Sequence, residues 1–167
     1  MSRVLIACVG NVLRGDDGFG VAVSEELARG EPLPDGVELI ETGIGGLHIV
    51  QQLMEGYDTL IVVDALARGA APGTLVIAEP HVPDPSTMPI EEWRSQFSNL
   101  HLAEPSRVLL MARAAGVLPR QVILVGCEPE TCEEYSEALS APVQAAVVAA
   151  AARVRELVAV ATTAGVG

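Results

Sequence analysis

Acidic side chains that follow predicted strands are the residues of this chain best suited to chemistry. Asp16 and Asp17 follow the first predicted strand, Glu41 ends the second, and Asp64 ends the third. In open α/β sheets, ligands bind beyond the carboxyl ends of the strands. Carboxylates gathered at such an edge repel one another, so the arrangement is costly unless a cation or a proton compensates. The pattern therefore predicts a cation-binding or proton-holding site.

Each of these acids also has a structural interpretation, which the sequence leaves open. Asp16 could be a helix N-cap, and Asp17 could match the helix dipole in the first turn. Asp64 could cap a loop. Taken together, however, several carboxylates at one edge favour a functional site.

A histidine complements these acids. His101 lies just before a helix predicted over residues 103–115, which would bring it to the strand ends. Two aspartates and one imidazole form a mixed oxygen and nitrogen ligand set that suits divalent transition metals such as nickel or zinc. We interpret His48, inside a predicted helix, as structural and His81, in a proline-rich loop, as incidental.

The elements that must position these side chains alternate along the chain. Predicted strands cover residues 3–9, 37–41, 58–64, 74–78 and 121–126, and predicted helices cover residues 20–29, 47–54, 103–115 and 140–160. This order indicates a three-layer α/β/α sandwich around a twisted, mainly parallel five-stranded sheet. The short loop between the third and fourth strands indicates one antiparallel strand. We interpret residues 1–167 as a single domain.

Composition excludes several classes of function. The net charge is −12, all ten basic residues are arginine, and aromatic residues make up 3% of the chain. Binding of a nucleic acid or an anionic membrane is therefore not expected, because both need clustered basic residues. No segment predicts a membrane span. The three cysteines show no zinc or disulfide spacing, so we interpret them as structural or incidental in a cytoplasmic protein.

Several motifs together resemble one protein family. The segment at 10–20 (GNVLRGDDGFG) is similar to the signature GN-x-L-x-x-D-[DE]-x-x-G of hydrogenase maturation endopeptidases. The segments at 42–47 (TGIGGL), 62–65 (VVDA) and 126–130 (GCEPE) also resemble that family, as does His101 before an LxxAR-like helix. The family trims the C-terminus of the large subunit of nickel–iron hydrogenases.

The resemblance implies roles for individual residues. Asp17, Asp64 and His101 would bind metal, and Asp16, Asp17 and Asp64 would be catalytic. The nickel would be carried by the substrate, a hydrogenase large-subunit precursor, with no tightly bound metal in the isolated enzyme. Asp16 could act on the scissile bond or brace its loop through backbone N–H groups. We expect Asp16→Asn to lose processing with a nearly unchanged melting temperature.

Two other classes of protein fit parts of the pattern. A phosphoacceptor receiver domain also gathers acids after its first and third strands, but it needs a lysine that this chain lacks. A non-catalytic binding partner or chaperone of the large subunit would share the motifs without cutting. The sequence leaves open which hydrogenase is the substrate, where it is cut, whether the metal is catalytic, and the oligomeric state.

Overall fold

Strands and helices alternate in the computed structural model, which describes residues 1–43, 46–98, 105–132 and 135–163. The strands are β1 (Val4–Val9), β2 (Val37–Thr42), β3 (Thr59–Ala65), β4 (Leu75–Ala78) and β5 (Gln121–Cys127). The helices are α1 (Phe19–Arg29), α2 (Leu47–Leu53), α3 (Ile90–Ser98), α4 (Pro105–Ala114) and α5 (Ala141–Thr163). None of the helices in these described ranges is long and apolar enough to cross a membrane.

The strands form one five-stranded sheet in the order β2-β1-β3-β5-β4. All neighbouring pairs are parallel except β4 with β5, which is antiparallel. The mainly parallel sheet with one antiparallel strand is therefore confirmed. The antiparallel strand pairs with β5, and not with β3, its neighbour in sequence.

Helices cover both faces of the sheet, which explains the unbroken apolar runs of the central strands. In β1, Val4, Ile6 and Cys8 point into the layer that contains α1 and α5. The alternate residues Leu5 and Ala7 point into the layer of α2 and α4. All five side chains are fully buried. Burial of the larger ones, Val4, Leu5 and Ile6, contributes about 1.5–3 kcal/mol of stability each relative to an exposed side chain.

The segment after β4 contains a helix that the sequence did not predict. A short 3₁₀ turn at Pro85–Thr87 leads into α3, whose first turn carries Glu91 and Glu92. Two acids near a helix N-terminus complement the helix dipole. The side chain of Asp84 accepts a hydrogen bond from the N–H of Ser86 at 2.9 Å and starts the turn. These short-range polar interactions stabilise the segment, whose sequence lacks the long apolar periodicity that predicts a helix.

The carboxyl ends of the four parallel strands meet at one edge of the sheet. Near this edge Thr42, Val9 and Asp64 lie side by side on neighbouring strands. Thr42 is paired with Val9, and Asp64 follows Val63, the partner of Cys8. Strand alternation turns Thr42, Val9 and Asp64 to the α2 and α4 face. Helix α4 leads into the parallel strand β5, so α4 runs back along the sheet and begins at this carboxyl edge. We call the edge that carries Asp17 and Asp64 the acidic edge.

Candidate functional site at the carboxyl edge

A tight connection from β1 to α1 shapes the acidic edge. A Cβ atom at Gly20 would lie 2.1 Å from the carbonyl oxygen of Val9 and 2.7 Å from that of Val63, so only glycine lets α1 start against the strand ends. Before it, the N–H of Asn11 donates to the carbonyl of Asp17 at 3.1 Å. The side-chain oxygen of Asn11 accepts a hydrogen bond from Leu13 at 3.0 Å. These bonds fold the loop so that Asp17 lies over the end of β1.

Asp16 is fully buried and its carboxylate is fully occupied. One oxygen accepts hydrogen bonds from the N–H groups of Glu130 (2.7 Å) and Thr131 (3.2 Å) and from the hydroxyl of Ser140 (2.9 Å). The other oxygen accepts the N–H of Ser140 at 2.7 Å. Burial acts to raise the pKa of Asp16, but the hydrogen bonds from Ser140, Glu130 and Thr131 outweigh it and lower the pKa.

These contacts favour the bracing role of Asp16. Its carboxylate ties the β1–α1 loop to the segment that runs from β5 to α5. Both oxygens accept hydrogen bonds from described residues, and the side chain has no exposed surface. The structure thus supports the bracing alternative, and the catalytic role of Asp16 stays a prediction.

Asp17 and Asp64 lie close enough at the acidic edge for the charge of Asp17 to affect the Asp64 carboxyl. Asp64 is only 7% exposed, and the N–H of Ala65 is its single hydrogen-bond donor among the described residues, at 2.8 Å. Burial, and then the negative charge of Asp17, raise the pKa of Asp64 to about 8. Burial also raises the pKa of the half-buried Asp17, and Asn11 and Arg14 offset this only in part. Without a cation, Asp64 therefore keeps its proton at neutral pH.

A third buried carboxylate, Glu128, braces the loop after β3. Its oxygens accept the N–H groups of Arg68 at 2.7 Å and Gly69 at 3.1 Å. The hydrogen bond from Arg68 is the main reason that the pKa of Glu128 is lowered. The backbone of Glu128 also pairs with Gly73 and Thr74. The segment at 126–130, which the sequence singled out only by resemblance, thus holds the loop beside Asp64.

Two further polar side chains at the acidic edge were missed by sequence reasoning. Thr42 is 2% exposed, and its hydroxyl has no hydrogen-bond partner among the residues that the structure describes. Cys132 is partly exposed, and its pKa is raised to about 11 by burial and then by the charges of Asp17, Asp16 and Asp64. Neither residue type is by itself a signal for such a site, and no motif spacing links these residues to the acids.

The chain has three histidines, and the structure describes two of them, His48 and His81. His101 lies outside the described residues, so its place as a ligand stays a prediction. His48 is exposed on α2. His81 is exposed and lines a cavity with Arg120 and Gln121, at the opposite edge of the sheet. Within the described ranges, no three His, Cys, Asp or Glu side chains are grouped to hold a metal, so neither His48 nor His81 replaces His101.

Comparison with known proteins places this architecture in a family. A sequence model of the hydrogenase maturation protease family matches residues 21–156. The chain belongs to this family. The match includes Asp64 and begins just after Asp17.

Family relatives are known both as sequences and as solved structures. The chain is 36% identical over 144 residues to the hydrogenase expression/formation protein HoxM of Azotobacter vinelandii, covering 86% of this chain and 66% of that protein. It is 33% identical over 137 residues to the hydrogenase 2 maturation protease of Escherichia coli K12, covering 80% and 77%. The chain thus spans slightly less than two thirds of the length of the Azotobacter relative.

The fold agrees with that of solved relatives. The hydrogenase maturating endopeptidase HybD from Escherichia coli superposes with a TM-score of 0.73 at 32% identity, covering 91% of this chain and 89% of that one. The hydrogenase 2 maturation peptidase of a Thaumarchaeota archaeon has a TM-score of 0.67 at 35% identity, covering 93% and 97%. These similarities confirm the α/β fold class that the sequence predicted.

Proposed function

We propose that this protein is an endopeptidase that removes the C-terminal extension of a nickel–iron hydrogenase large-subunit precursor after nickel insertion. The observation that carries the proposal is the Asp17–Asp64 pair, two carboxyl groups gathered at the strand ends, where burial and the charge of Asp17 raise the pKa of Asp64. Membership of the hydrogenase maturation protease family supports the peptidase activity. The names of two relatives, a maturation protease and a maturating endopeptidase, support it further.

In this proposal the nickel ion arrives as part of the substrate. Asp17, Asp64 and His101 would contact it, while the remaining positions of the ion stay with the precursor's own ligands or with water. The charge of Asp17 raises the pKa of Asp64, whereas a divalent cation beside Asp64 would lower it. Asp64 would therefore release its proton when the substrate binds. Recognition of nickel-loaded precursor is therefore coupled to loss of one proton from the buried carboxyl.

Hydrolysis needs a group that takes a proton from the attacking water. The water oxygen bonds to the scissile carbonyl carbon, the C–N bond breaks, and the departing nitrogen gains a proton. We assign the general-base role to Asp17, because it is only half-buried and has two oxygens, one for the nickel and one for the water proton. Asp16 and Glu128 hold the loops on either side in place.

We also propose that processing takes place in the cytoplasm. Cys8, Cys127 and Cys132 are all free thiols. Free cysteines with no disulfide partner are typical of proteins that work in a reducing compartment. This agrees with a substrate that receives its metal before processing.

Cleavage should depend on nickel in the precursor. We expect the enzyme to shorten nickel-loaded precursor, and not nickel-free precursor, because only the loaded form supplies a cation to Asp17 and Asp64. Intact-mass analysis of the precursor after incubation with chelated, dialysed enzyme measures this. Asp17→Asn is the matched inactive control.

The other outcomes of this assay contradict the proposal in different ways. Equal cleavage of both precursors would refute nickel recognition but leave the peptidase activity. Stable binding of loaded precursor without any loss of mass would instead identify a non-catalytic partner of the large subunit.

Chelation of the free enzyme should leave its thermal stability nearly unchanged. The two apolar layers and the carboxylate braces hold the fold, and the described residues offer no closed metal site. Structural zinc sites usually need four ligands. Melting curves with and without a chelator, together with metal analysis of the purified protein, measure this. A stoichiometric metal whose removal unfolds the protein would contradict it.

A further inference from the structure

A surface groove with a cavity volume of about 350 Å³ lies between the β1–α1 loop, α1 and the segment that leads into α5. Its aliphatic lining comes from Val12 of the loop, from Val21 and Ala22 of α1, and from Leu139 just before α5. Ala22 and Leu139 also pack against the buried core, so the groove has a firm apolar floor. We call the cavity between these four residues the α1 groove.

The α1 groove is built into the loop that carries Asp17. The N–H of Gly15 donates to the carbonyl of Ser136 at 2.8 Å and ties the loop to the segment before α5. Gly18 lines the groove, and a Cβ atom there would lie 3.3 Å from the Cα atom of Val12. Neighbouring Cα atoms are about 3.8 Å apart. The groove therefore begins one residue from Asp17, at the acidic edge.

Exposed apolar side chains continue the groove onto the surface. Val12, Leu13 and Tyr135 are between 44% and 76% exposed. The N–H of Ser136 donates to the carbonyl of Leu13 at 3.1 Å, which brings the preceding residue, Tyr135, to the same surface as the loop. Clustered exposed apolar side chains of this kind mark surfaces that bind another protein.

The rim of the α1 groove is acidic. Glu25 of α1 and Glu137 before α5 line it, and none of the described lining residues is basic. The carboxylate of Glu25 lies 3.2 Å from the guanidinium of Arg29, and the hydroxyl of Tyr135 donates to Glu137 at 3.3 Å. Exposed ion pairs contribute about 0–1 kcal/mol, so Arg29 leaves Glu25 available to a cation of a partner. An apolar centre with a polar rim is the usual anatomy of a protein interface.

We propose that the α1 groove docks the hydrogenase large-subunit precursor through a segment that carries an aliphatic and a basic side chain. The identity of this partner rests on the proposed function. The aliphatic side chain would lie between Val12 and Leu139. The lysine or arginine would pair with Glu25 or Glu137. Because these contacts involve no nickel, they add affinity for nickel-loaded and nickel-free precursor alike, and they hold the precursor at the acidic edge.

A second copy of this chain fits the groove less well than a basic segment does. The chain has a net charge of −12 and no lysine, so two copies would approach each other with like charge. A locally basic segment of another protein is attracted by the same field, which speeds its association.

Binding of nickel-free precursor to the wild-type protein tests this inference without any cleavage. We expect measurable binding by interferometry, and Val12→Asp should weaken it at least about tenfold, because it places a charge at the apolar centre of the interface. Val160→Asp changes an equally exposed valine near the end of α5 and should keep the wild-type affinity. Thermal melts establish that both variants fold. Absence of binding by the wild type, or an unchanged affinity in Val12→Asp, would overturn the proposal.

Charge reversal tests the acidic rim with nickel-loaded precursor. Glu137→Arg should raise KM at least about fivefold and leave kcat within about twofold, because Glu137 touches the precursor away from the reacting atoms. Glu156→Arg, at an exposed position farther along α5, should leave both unchanged. Of the precursor variants with one lysine or arginine changed to glutamate, at least one should bind the wild type weakly and Glu137→Arg normally.

Two further results would contradict the docking role. One is a lower kcat with an unchanged KM in Glu137→Arg. The other is self-association of the wild type that Val12→Asp abolishes while binding of the precursor persists, which would assign the groove to a second copy. A wild type that binds nickel-free precursor but never cleaves the loaded form would overturn the proposed function and leave the groove as a docking surface.

Discussion

Asp16→Asn is expected to lower the melting temperature by about 3–12 °C. The carboxylate accepts four hydrogen bonds from Glu130, Thr131 and Ser140, and the asparagine NH₂ group would turn a donor toward at least one of these donors. Loss of a hydrogen bond to a charged group costs about 1.5–3 kcal/mol. In a domain of this size, 1 kcal/mol shifts the melting temperature by about 2–4 °C. Thermal melts at neutral pH measure the effect.

The stabilising effect of Asp16 should disappear in acid. Because hydrogen bonds lower its pKa in the folded state, Asp16 stabilises the protein above its unfolded pKa of about 3.9. That contribution is lost as the pH falls through the lower pKa of the folded state. The difference in melting temperature between wild type and Asp16→Asn should therefore persist at pH 7 and narrow below about pH 4.

Asp17→Asn is the matched control for Asp16→Asn. It removes the same charge from the next residue, which is half-buried and whose carboxylate, within the described residues, interacts with Asn11 and Arg14 of its own loop. We expect its melting temperature to stay within about 2 °C of the wild type, because polar surface substitutions away from such braces cost about 0.5 kcal/mol or less, while cleavage is lost. If Asp16→Asn has the melting temperature of the wild type and still fails to cleave, the result would support the catalytic role of Asp16.

Local pattern was enough to predict most of the fold. The apolar runs of β1 and β3 follow from burial on both faces, and the glycine-rich connection after β1 predicted the strand-to-helix turn. Helix α3 was missed because its stabilising features are short-range: a capping aspartate, Asp84, and the first-turn acids Glu91 and Glu92. The pairing of β4 with β5 was not predictable, since it depends on which edge of the sheet is free.

The candidate site was predictable where it depends on strand ends. Asp17 and Asp64 follow from the rule that ligands bind at the carboxyl edge of a parallel sheet. The particular donors to Asp16 could not be predicted in this way. They lie 114 to 124 residues away along the chain. The spacing of residues along the sequence does not predict such a contact.

Asp64→Asn is expected to stabilise the metal-free protein while abolishing cleavage. The pKa of Asp64 is raised to about 8 in the folded state, against about 3.9 in the unfolded state. Between these values folding requires uptake of a proton, so the wild type loses stability as the pH rises from about 4 to about 8. One pKa unit corresponds to about 1.4 kcal/mol, and we expect a gain of at least about 2 kcal/mol, or about 4 °C, at pH 8.

Melting curves of chelated protein between pH 5 and pH 8 measure this gain against a control. Asp35→Asn removes one charge from an exposed loop residue and should track the wild type at every pH. The advantage of Asp64→Asn should grow with pH, because asparagine has no proton to lose. Added Ni²⁺ should stabilise the wild type at pH 8 and not the variant, since only a carboxylate can give up its proton to the cation. A variant less stable than the wild type throughout would show that Asp64 is already ionised and paired, which would contradict the repulsive pair with Asp17.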